Sequence, residues 1–496
     1  MLTCLAAYAL STVIRQQVAH NPWESQVFYQ IFPRSYRDSN GDRIGDFKGI
    51  IEGLPTIQKL GCTAILLNPI QKARVYHNYF ADDWMDVDPQ FGSLNDFDAL
   101  IAAAHKIHIK VIVDMEPQYI ASGHPWYIAA AKDPNAPEAE FIAKPFHPDP
   151  NAASPWYDHA KIQLASVNLN NPQVIEEIGR VFRFWSEQGV DGYRIDHMMD
   201  DLDWQGKSTK LYSRLWSPIE EDIKKRYPGS FFVGEQADWE AYRSSVDMFD
   251  GTPTDACFNF RLRNALLTFK KGFLSKTIGD YKYFTNEGRL QLNFLENHDM
   301  TRFASEELDP RKQRLAAALM IFAKGSPIIY YGQEIGMKGE QGHWNSDGND
   351  IPVRLAYRWS KKLEAPGTAL WYKDNGPWWS TRYSSDNDGA SLEEQENNPH
   401  SLFNWYRKLI GIRQTRPALN SGSLDLVDTL TETVFAFRRK SEGHSVLVLA
   451  NLSDKGTTVG GSVVPGGKDA ISGDEVKANS PLRFGPWQVR VIDENP

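Results

Sequence analysis

The sequence predicts an α/β protein: a (β/α)8 TIM barrel with a small inserted domain after its third strand and a C-terminal antiparallel β-sandwich domain. Eight short β-branched or aromatic runs follow one another along the 496 residues, and longer stretches with apolar residues at helical spacing separate them. From about Asn420 the pattern changes to alternating strands joined by Gly-rich turns, which sets a last domain apart.

The eight runs are Val27–Phe32, Thr63–Asn68, Lys110–Met115, Gly192–Asp196, Phe231–Glu235, Thr254–Phe260, Gln291–Glu296 and Pro327–Tyr331. Between the third and fourth lie two different kinds of chain. Gln118–Asn171 has no strong helical period and is rich in Pro, Asn, Asp and His, so 118–171 reads as the inserted domain between barrel segments 25–117 and 172–419. Pro172–Gly189 then places Val174, Ile175, Ile178, Val181, Phe182 and Trp185 at helical spacing, a face suited to cover a sheet. After the eighth run, Gly339–Pro399 is rich in Gly, Asp, Asn and Trp and predicts an elaborate loop at the barrel's C-terminal rim, where it can line a cleft. A helix over Ser401–Thr415 closes the barrel. The β domain, 420–496, shows strand patterns at Val434–Arg438, Ser445–Ala450 and Gln488–Ile492.

Composition narrows the function. With 41% hydrophobic and 24% charged residues the chain is of ordinary globular type, and a net charge of -9 without long runs of one sign excludes a nucleic-acid surface and a polyanionic substrate. Cys4, Cys62 and Cys257 are too few for a disulfide framework and lack zinc-site spacing. No stretch reaches the roughly 18 apolar residues of a membrane span, and Leu315–Ala323 reads as a core helix. Residues 1–24 form an N-terminal extension. Its apolar part, Leu2–Ile14, lacks the basic start and cleavage site of a signal peptide, and reads as a remnant export signal that favours a secreted or periplasmic location. A monomer is expected.

Barrel active sites lie at the C-terminal ends of the strands, which directs attention to three carboxylates. Asp196 ends the run Gly192–Asp196, where side-chain alternation turns Arg194 the same way, so that Arg194 can keep Asp196 ionised as a nucleophile requires. Glu235 emerges from the apolar run Phe231–Glu235, surroundings that raise a carboxyl pKa as a general acid requires. Asp299 follows Asn297 and His298 beyond the seventh run, placed for His298 and Asp299 to grip one ligand.

With these residues in view the sequence resembles the α-amylase family of glycoside hydrolases (glycoside hydrolase family 13), from about Val27 through the last domain. The likeness rests on Gly61–Ile65, Tyr76-His77-Asn78-Tyr79, Val113-Asp114, Asp191–Asp196, Gly234-Glu235, Asn297-His298-Asp299 and Gly325–Gly332. It implies a nucleophile at Asp196, an acid/base at Glu235 and a sugar-clamping carboxylate at Asp299. It further implies retained anomeric configuration, Arg194 and His298 beside the reacting sugar, and Tyr79 stacked under its ring. The implied activity is hydrolysis of α-1,4-glucosidic bonds in malto-oligosaccharides or related α-glucans. The alternative is a glucosyltransferase or isomerase of sucrose- or trehalose-acting type. A non-catalytic barrel scaffold would lack the three carboxylates.

A second site is expected in Asp38-Ser39-Asn40-Gly41-Asp42-Arg43-Ile44-Gly45-Asp46, where oxygen ligands recur at alternate positions. The spacing resembles the start of an EF-hand loop, with side chains of Asp38, Asn40, Asp42 and Asp46 and the Ile44 carbonyl as ligands of a structural Ca2+. Arg43 stands where such loops usually carry glycine, and no glutamate closes the loop. No organic cofactor is expected. The chain also departs from the family at Gln118-Tyr119, where Asn-His is usual, so these two are read as altered sugar contacts; His124-Pro125-Trp126 just beyond still matches. Met199-Asp200 replaces the Lys-His of starch-cleaving members. Phe80 stands after Tyr79, where exo-acting glucosidases carry an acid that reads the chain end, and so favours cleavage within a chain.

Overall fold

Alternation of side chains along short parallel strands builds the centre of the molecule. The computed structural model describes residues 21–494 apart from 149–163, 203–207, 237–241, 284–287 and 345. The apolar N-terminal segment and Cys4 therefore lie outside the described residues. The strands are β1 (Phe28–Ile31), β2 (Ala64–Leu67), β3 (Lys110–Met115), β4 (Gly192–Ile195), β5 (Phe231–Gly234), β6 (Ala256–Phe258), β7 (Leu290–Asn293) and β8 (Ser326–Tyr330). They pair in chain order into a closed parallel barrel, sealed where Phe28 on β1 meets Ile328 on β8.

One parity of residues fills the interior: Phe28, Ala64, Leu66, Ile112, Phe231, Val233, Ala256, Leu290, Leu292 and Ile328 form one buried cluster together with Trp23. The other parity, including Tyr29, Ile65, Val111, Val113, Tyr193 and Phe232, packs outward against the helices. Continued one step beyond the apolar layer, the inward parity turns polar. Gln30, Asn68, Asp114, Arg194, Asp196 and Glu235 stand there, all buried. Apart from β3, which ends at Met115 as predicted, the observed strands end one to three residues earlier than the predicted runs, because Asp196, Glu235 and Phe294–Glu296 have already left the sheet for the rim.

The helices follow local signals. Asp46 accepts a hydrogen bond from the Gly49 amide at the start of Phe47–Leu60, and Gly61, at φ 101°, ends that helix against Ile410, where an added Cβ would come within 2.8 Å of the isoleucine. Ser93 and Asp96 cap Leu94–Lys106 reciprocally. The predicted helix over Pro172–Gly189 is Pro172–Glu187, and it buries Val174, Ile178, Val181, Phe182 and Trp185. Ser401 caps Leu402–Gln414.

The excursion after β3 contributes Tyr119–Ala121 and Leu164–Ser166 to a four-stranded sheet whose other two strands, Gln71–Ala73 and Ala81–Val87, come from the loop after β2. The inserted unit thus draws on chain assigned above to the barrel. Beyond the last helix, a six-stranded and a two-stranded antiparallel sheet share a core of Val434, Ala436, Leu447, Leu449, Val459, Leu482 and Phe484, the predicted sandwich.

Two buried arginines sit at this junction: Arg439 ties the domain to the barrel, and Arg413 ties the barrel's last helix to its neighbours. Arg413 donates to the carbonyls of Ile321 (2.6 Å), Gly325 (2.6 Å) and Glu24 (3.0 Å), and Arg439 to those of Phe322 (3.0 Å), Gly422 (3.1 Å) and Ser423 (3.1 Å). Both are fully buried. Each satisfies carbonyls that helix and strand ends leave open. Arg413→Leu strands those acceptors in a dry interior, and equilibrium urea unfolding is expected to show a loss on the order of 3 kcal/mol or more. A change below about 0.5 kcal/mol, the size of an ordinary surface substitution, would show that the clasp is idle.

Candidate active site

Asp114 on β3, Arg194 on β4 and the residues just past β4 and β5 converge at the C-terminal mouth, and Arg194 sits at their centre. Its Nη1 donates to Asp114 Oδ1 at 2.8 Å and makes a short contact with Asp196 Oδ1, while its Nη2 reaches Glu235 Oε2 at 2.8 Å. One guanidinium therefore serves three buried carboxyl groups. The Tyr79 hydroxyl donates to Asp114 Oδ2 at 2.8 Å, and the Tyr79 ring stacks on His298 with centroids 5.5 Å apart. Gln30 and Asn68 direct amide N–H groups at His298 Nδ1, at 3.0 and 3.2 Å. That leaves Nε2 as the protonated nitrogen, 3.0 Å from Asp299 Oδ2. The other Asp299 oxygen accepts from Arg354 Nη2 at 2.8 Å.

These partners drive the carboxyls apart in acidity. Burial by itself would raise Asp196, but the positive charge of Arg194 holds it well below the usual carboxylate range. Burial also opposes ionisation of Asp299, and His298 with Arg354 overcomes it, so Asp299 is likewise strongly acidic. For Glu235 burial prevails: although Arg194 pulls the other way, the negative charges of Asp196, Asp299 and Asp114 add to burial and push it well above the usual value. The mouth thus holds an ionised Asp196 and a neutral Glu235 side by side, the pairing of base and acid that divided environments produce.

A cavity of about 500 Å3 opens on this group. Asp196, Glu235 and Asp299 line it, as do Tyr79, Phe80 and Tyr119. The rim loop contributes Gln341, Asp347, Asp350 and Arg354, and the inserted unit contributes Leu164. His77, pushed down to about 3 by burial and by Arg354, faces Asp347 at 3.3 Å as a neutral ring.

Other expected contacts fall elsewhere. Arg194 and His298, each 2% exposed, lie behind the carboxyls rather than on the cavity wall. Gln118 is fully buried and spends its amide N–H on the Asp196 carbonyl at 2.7 Å, so it holds the backbone of the site instead of a sugar. Asp200 accepts from the Tyr212 amide at 2.9 Å and does not reach the cavity. Glu116, which sequence reasoning missed, does line it; the alternation that aims Arg194 at Asp196 would have placed it beside Asp114.

The Asp38–Asp46 loop lies apart and is closed by its own hydrogen bonds. Asp38 accepts from the amides of Asn40, Gly41 and Arg43, Asn40 from Asp42, and Asp42 from Ile44. Asp46 accepts from Ser39 and Gly49. Arg43 takes the left-handed conformation, φ 71°, that favours glycine. The all-oxygen donor set suits a hard cation. The three aspartates do not converge, however: among the described residues the one group of three acid, histidine or cysteine side chains with ligand atoms mutually within 4.8 Å is Glu116, Asp196 and His197.

Comparison with known proteins places this geometry. A family model for the α-amylase catalytic domain matches residues 30–422. "Alpha-amylase 3" of Dictyoglomus thermophilum is 29% identical, over 91% of this chain and 90% of that protein. A 4-alpha-glucanotransferase of Thermotoga neapolitana is 27% identical, over 86% of this chain and 95% of its own. Among solved structures, the α-amylase from H. orenii superposes with a TM-score of 0.79 at 28% identity, covering 95% of this chain and 99% of the other.

The hub position of Arg194 is testable by stability. Arg194→Leu leaves Asp114, Asp196 and Glu235 buried without their cation, and urea unfolding at pH 7 is expected to show a loss of about 3–5 kcal/mol. Without the cation these carboxyls have folded-state pKa values above their unfolded ones. They then favour the folded state at low pH and oppose it as pH rises, so the deficit shrinks towards pH 5. A deficit that grows on acidification would contradict the assignment.

Proposed function

The chain belongs to the α-amylase family, and from that premise we propose that it hydrolyses α-1,4-glucosidic bonds of malto-oligosaccharides or related α-glucans with retention of configuration. The observation that carries the reading is the shared guanidinium: Arg194 grips Asp196 and Glu235 together while their environments leave one ionised and the other neutral. Two carboxyls held by one side chain favour the spacing of about 5 Å used by retaining pairs over the roughly 6.5–9.5 Å that admits a water in inverting ones.

In the first step Asp196 attacks the anomeric carbon as the bond to the leaving oxygen breaks, and the Glu235 proton passes to that oxygen. In the second, water adds at the same carbon, Glu235 takes its proton, and Asp196 departs as a carboxylate. Asp299, fixed between His298 and Arg354, is placed to accept hydrogen bonds from ring hydroxyls. Tyr79 and Tyr119 offer aromatic surface to the sugar. Transfer of the glycosyl group to a second sugar uses the same intermediate, and the likeness to a protein named as a glucanotransferase keeps it as the second reading.

The reading includes a structural Ca2+ in the Asp38–Asp46 loop, supported by the alternating oxygens of Asp38, Asn40, Asp42, Ile44 and Asp46; to bind it, Asp38, Asp42 and Asp46 would have to turn from the amides they now accept from and converge. It takes no part in either step. Calorimetric titration with calcium is expected to show binding that Asp42→Ala abolishes; a flat titration of the parent protein removes the ion from the reading.

The chemistry is tested by following maltoheptaose, sucrose and maltose by NMR. Retained α-configuration is expected in the first product, with at least a 1,000-fold loss in Asp196→Ala. Inversion, or full activity in that variant, would refute the mechanism. The profile of kcat/KM is expected to fall on the acid side as Asp196 takes a proton, below the usual carboxylate range, and on the alkaline side as Glu235 loses one, above it. Glu235→Gln should remove the alkaline fall; its persistence would exclude Glu235 as the acid.

A further inference from the structure

Glu116 is a fourth carboxyl in the cavity, and the two steps above give it no task. Its side chain is 5% exposed and lines the cavity wall. One oxygen, Oε1, accepts from the Gln118 amide at 2.6 Å; the other, Oε2, has no hydrogen-bond partner. The Asp196 carboxylate and the His197 ring lie within 4.8 Å of it. The ionisable groups around it are Asp196 and His197 past β4, with Arg194 of β4 bound to Asp196, and Glu235 and Asp299 line the same cavity. Two carboxyls this close and this deeply buried do not both ionise. Arg194 is bound to Asp196, so the charge stays there and the proton stays on Glu116. Burial and the charge of Asp196 act in the same direction, pushing Glu116 well above the usual range.

We propose that Glu116 is a positioning residue that acts through the nucleophile: its carboxyl proton, without a partner in the resting site, turns to the Asp196 carboxylate beside it as a hydrogen bond, so that it aids departure of Asp196 from the glycosyl-enzyme more than attack. The proton is not transferred. When Asp196 bonds to the anomeric carbon its charge disappears, and the hydrogen bond weakens to one on an ester oxygen. When water displaces Asp196 the charge returns, and the hydrogen bond strengthens as the carbon–oxygen bond breaks. The Glu116 donor therefore slows formation of the intermediate relative to its breakdown. It sets how long the intermediate lives, and with it the share that passes to water or to another sugar.

The inference rests on Asp196 being the nucleophile, so the experiment begins there. Labelling with 5-fluoro-α-D-glucosyl fluoride followed by peptide mapping should place the sugar on Asp196 in the parent protein; a label elsewhere sinks the mechanism and this inference with it, whereas the kinetics that follow test the role of Glu116 alone. Rapid-quench kinetics with 4-nitrophenyl α-maltotrioside then compare Glu116→Leu and Glu116→Gln, both checked for parental thermal unfolding. Glu116→Leu is expected to accumulate covalent intermediate, with a product burst close to one equivalent and a steady-state rate about tenfold lower. Glu116→Gln keeps an N–H towards Asp196 and should restore the parental ratio of burst to steady state. Raising the pH through ionisation of Glu116 should bring out the burst in the parent and not in Glu116→Gln. A parental ratio in Glu116→Leu, or a Glu116→Gln variant as impaired as Glu116→Leu, would overturn the proposal.

Discussion

Several acidic groups in a water-poor pocket repel one another, and the mouth of this barrel holds Asp114, Asp196, Glu235 and Glu116 within one small volume. A unit charge pair at ~4 Å interacts by about 4 kcal/mol even at an effective dielectric of ~20, so the cluster needs an internal cation. Arg194 supplies it from the floor of the site. A lysine would not replace it: an ammonium is a single point, whereas the guanidinium presents separate nitrogens to separate carboxyls and fixes their relative direction. The charge state and the orientation of the reacting pair thus have one origin, and that origin is a strand residue whose side-chain direction the barrel dictates.

That dictation explains why so much was legible. Inward and outward parity in eight strands is visible as sequence alternation, and it brings Asp196 and Glu235 to the mouth without further information. Asp299 was found through its neighbours Asn297 and His298. What escaped notice has no period to betray it: Arg354, Asp347 and Asp350 sit in a long rim loop where only the folded path says which side chains turn inward. Gln118 shows the opposite failure. Its place in the motif was right, but a flexible amide can satisfy a backbone carbonyl as well as a hydroxyl, and burial chose the carbonyl. The strand Gln71–Ala73 is too short, and Ala81–Val87 too acidic, to read as sheet.

The cavity wall is assembled from parts of unequal rigidity. Strand ends provide the carboxyls, the inserted unit provides Tyr119 and Leu164, and the rim loop provides Asp350 and Arg354. The bond-making groups rest on the stiffest element, and the surfaces that meet the remainder of a sugar chain rest on loops. Arg354 joins the two, since it binds Asp299 with one nitrogen and the His298 carbonyl with another. Related proteins of this family with different named activities are consistent with such a division of labour.

The closure of β1 on β8 also bears on how the chain is made. Phe28 must find Ile328, and synthesis at ~5–20 residues per second leaves on the order of 15–60 s between the appearance of one and the other. During that interval one side of β1 is an unpaired parallel edge, and the pairing that finally covers it has a very long sequence separation. The nascent protein therefore depends on its own early βα units, or on a chaperone, to shield that edge until the last barrel strand leaves the ribosome.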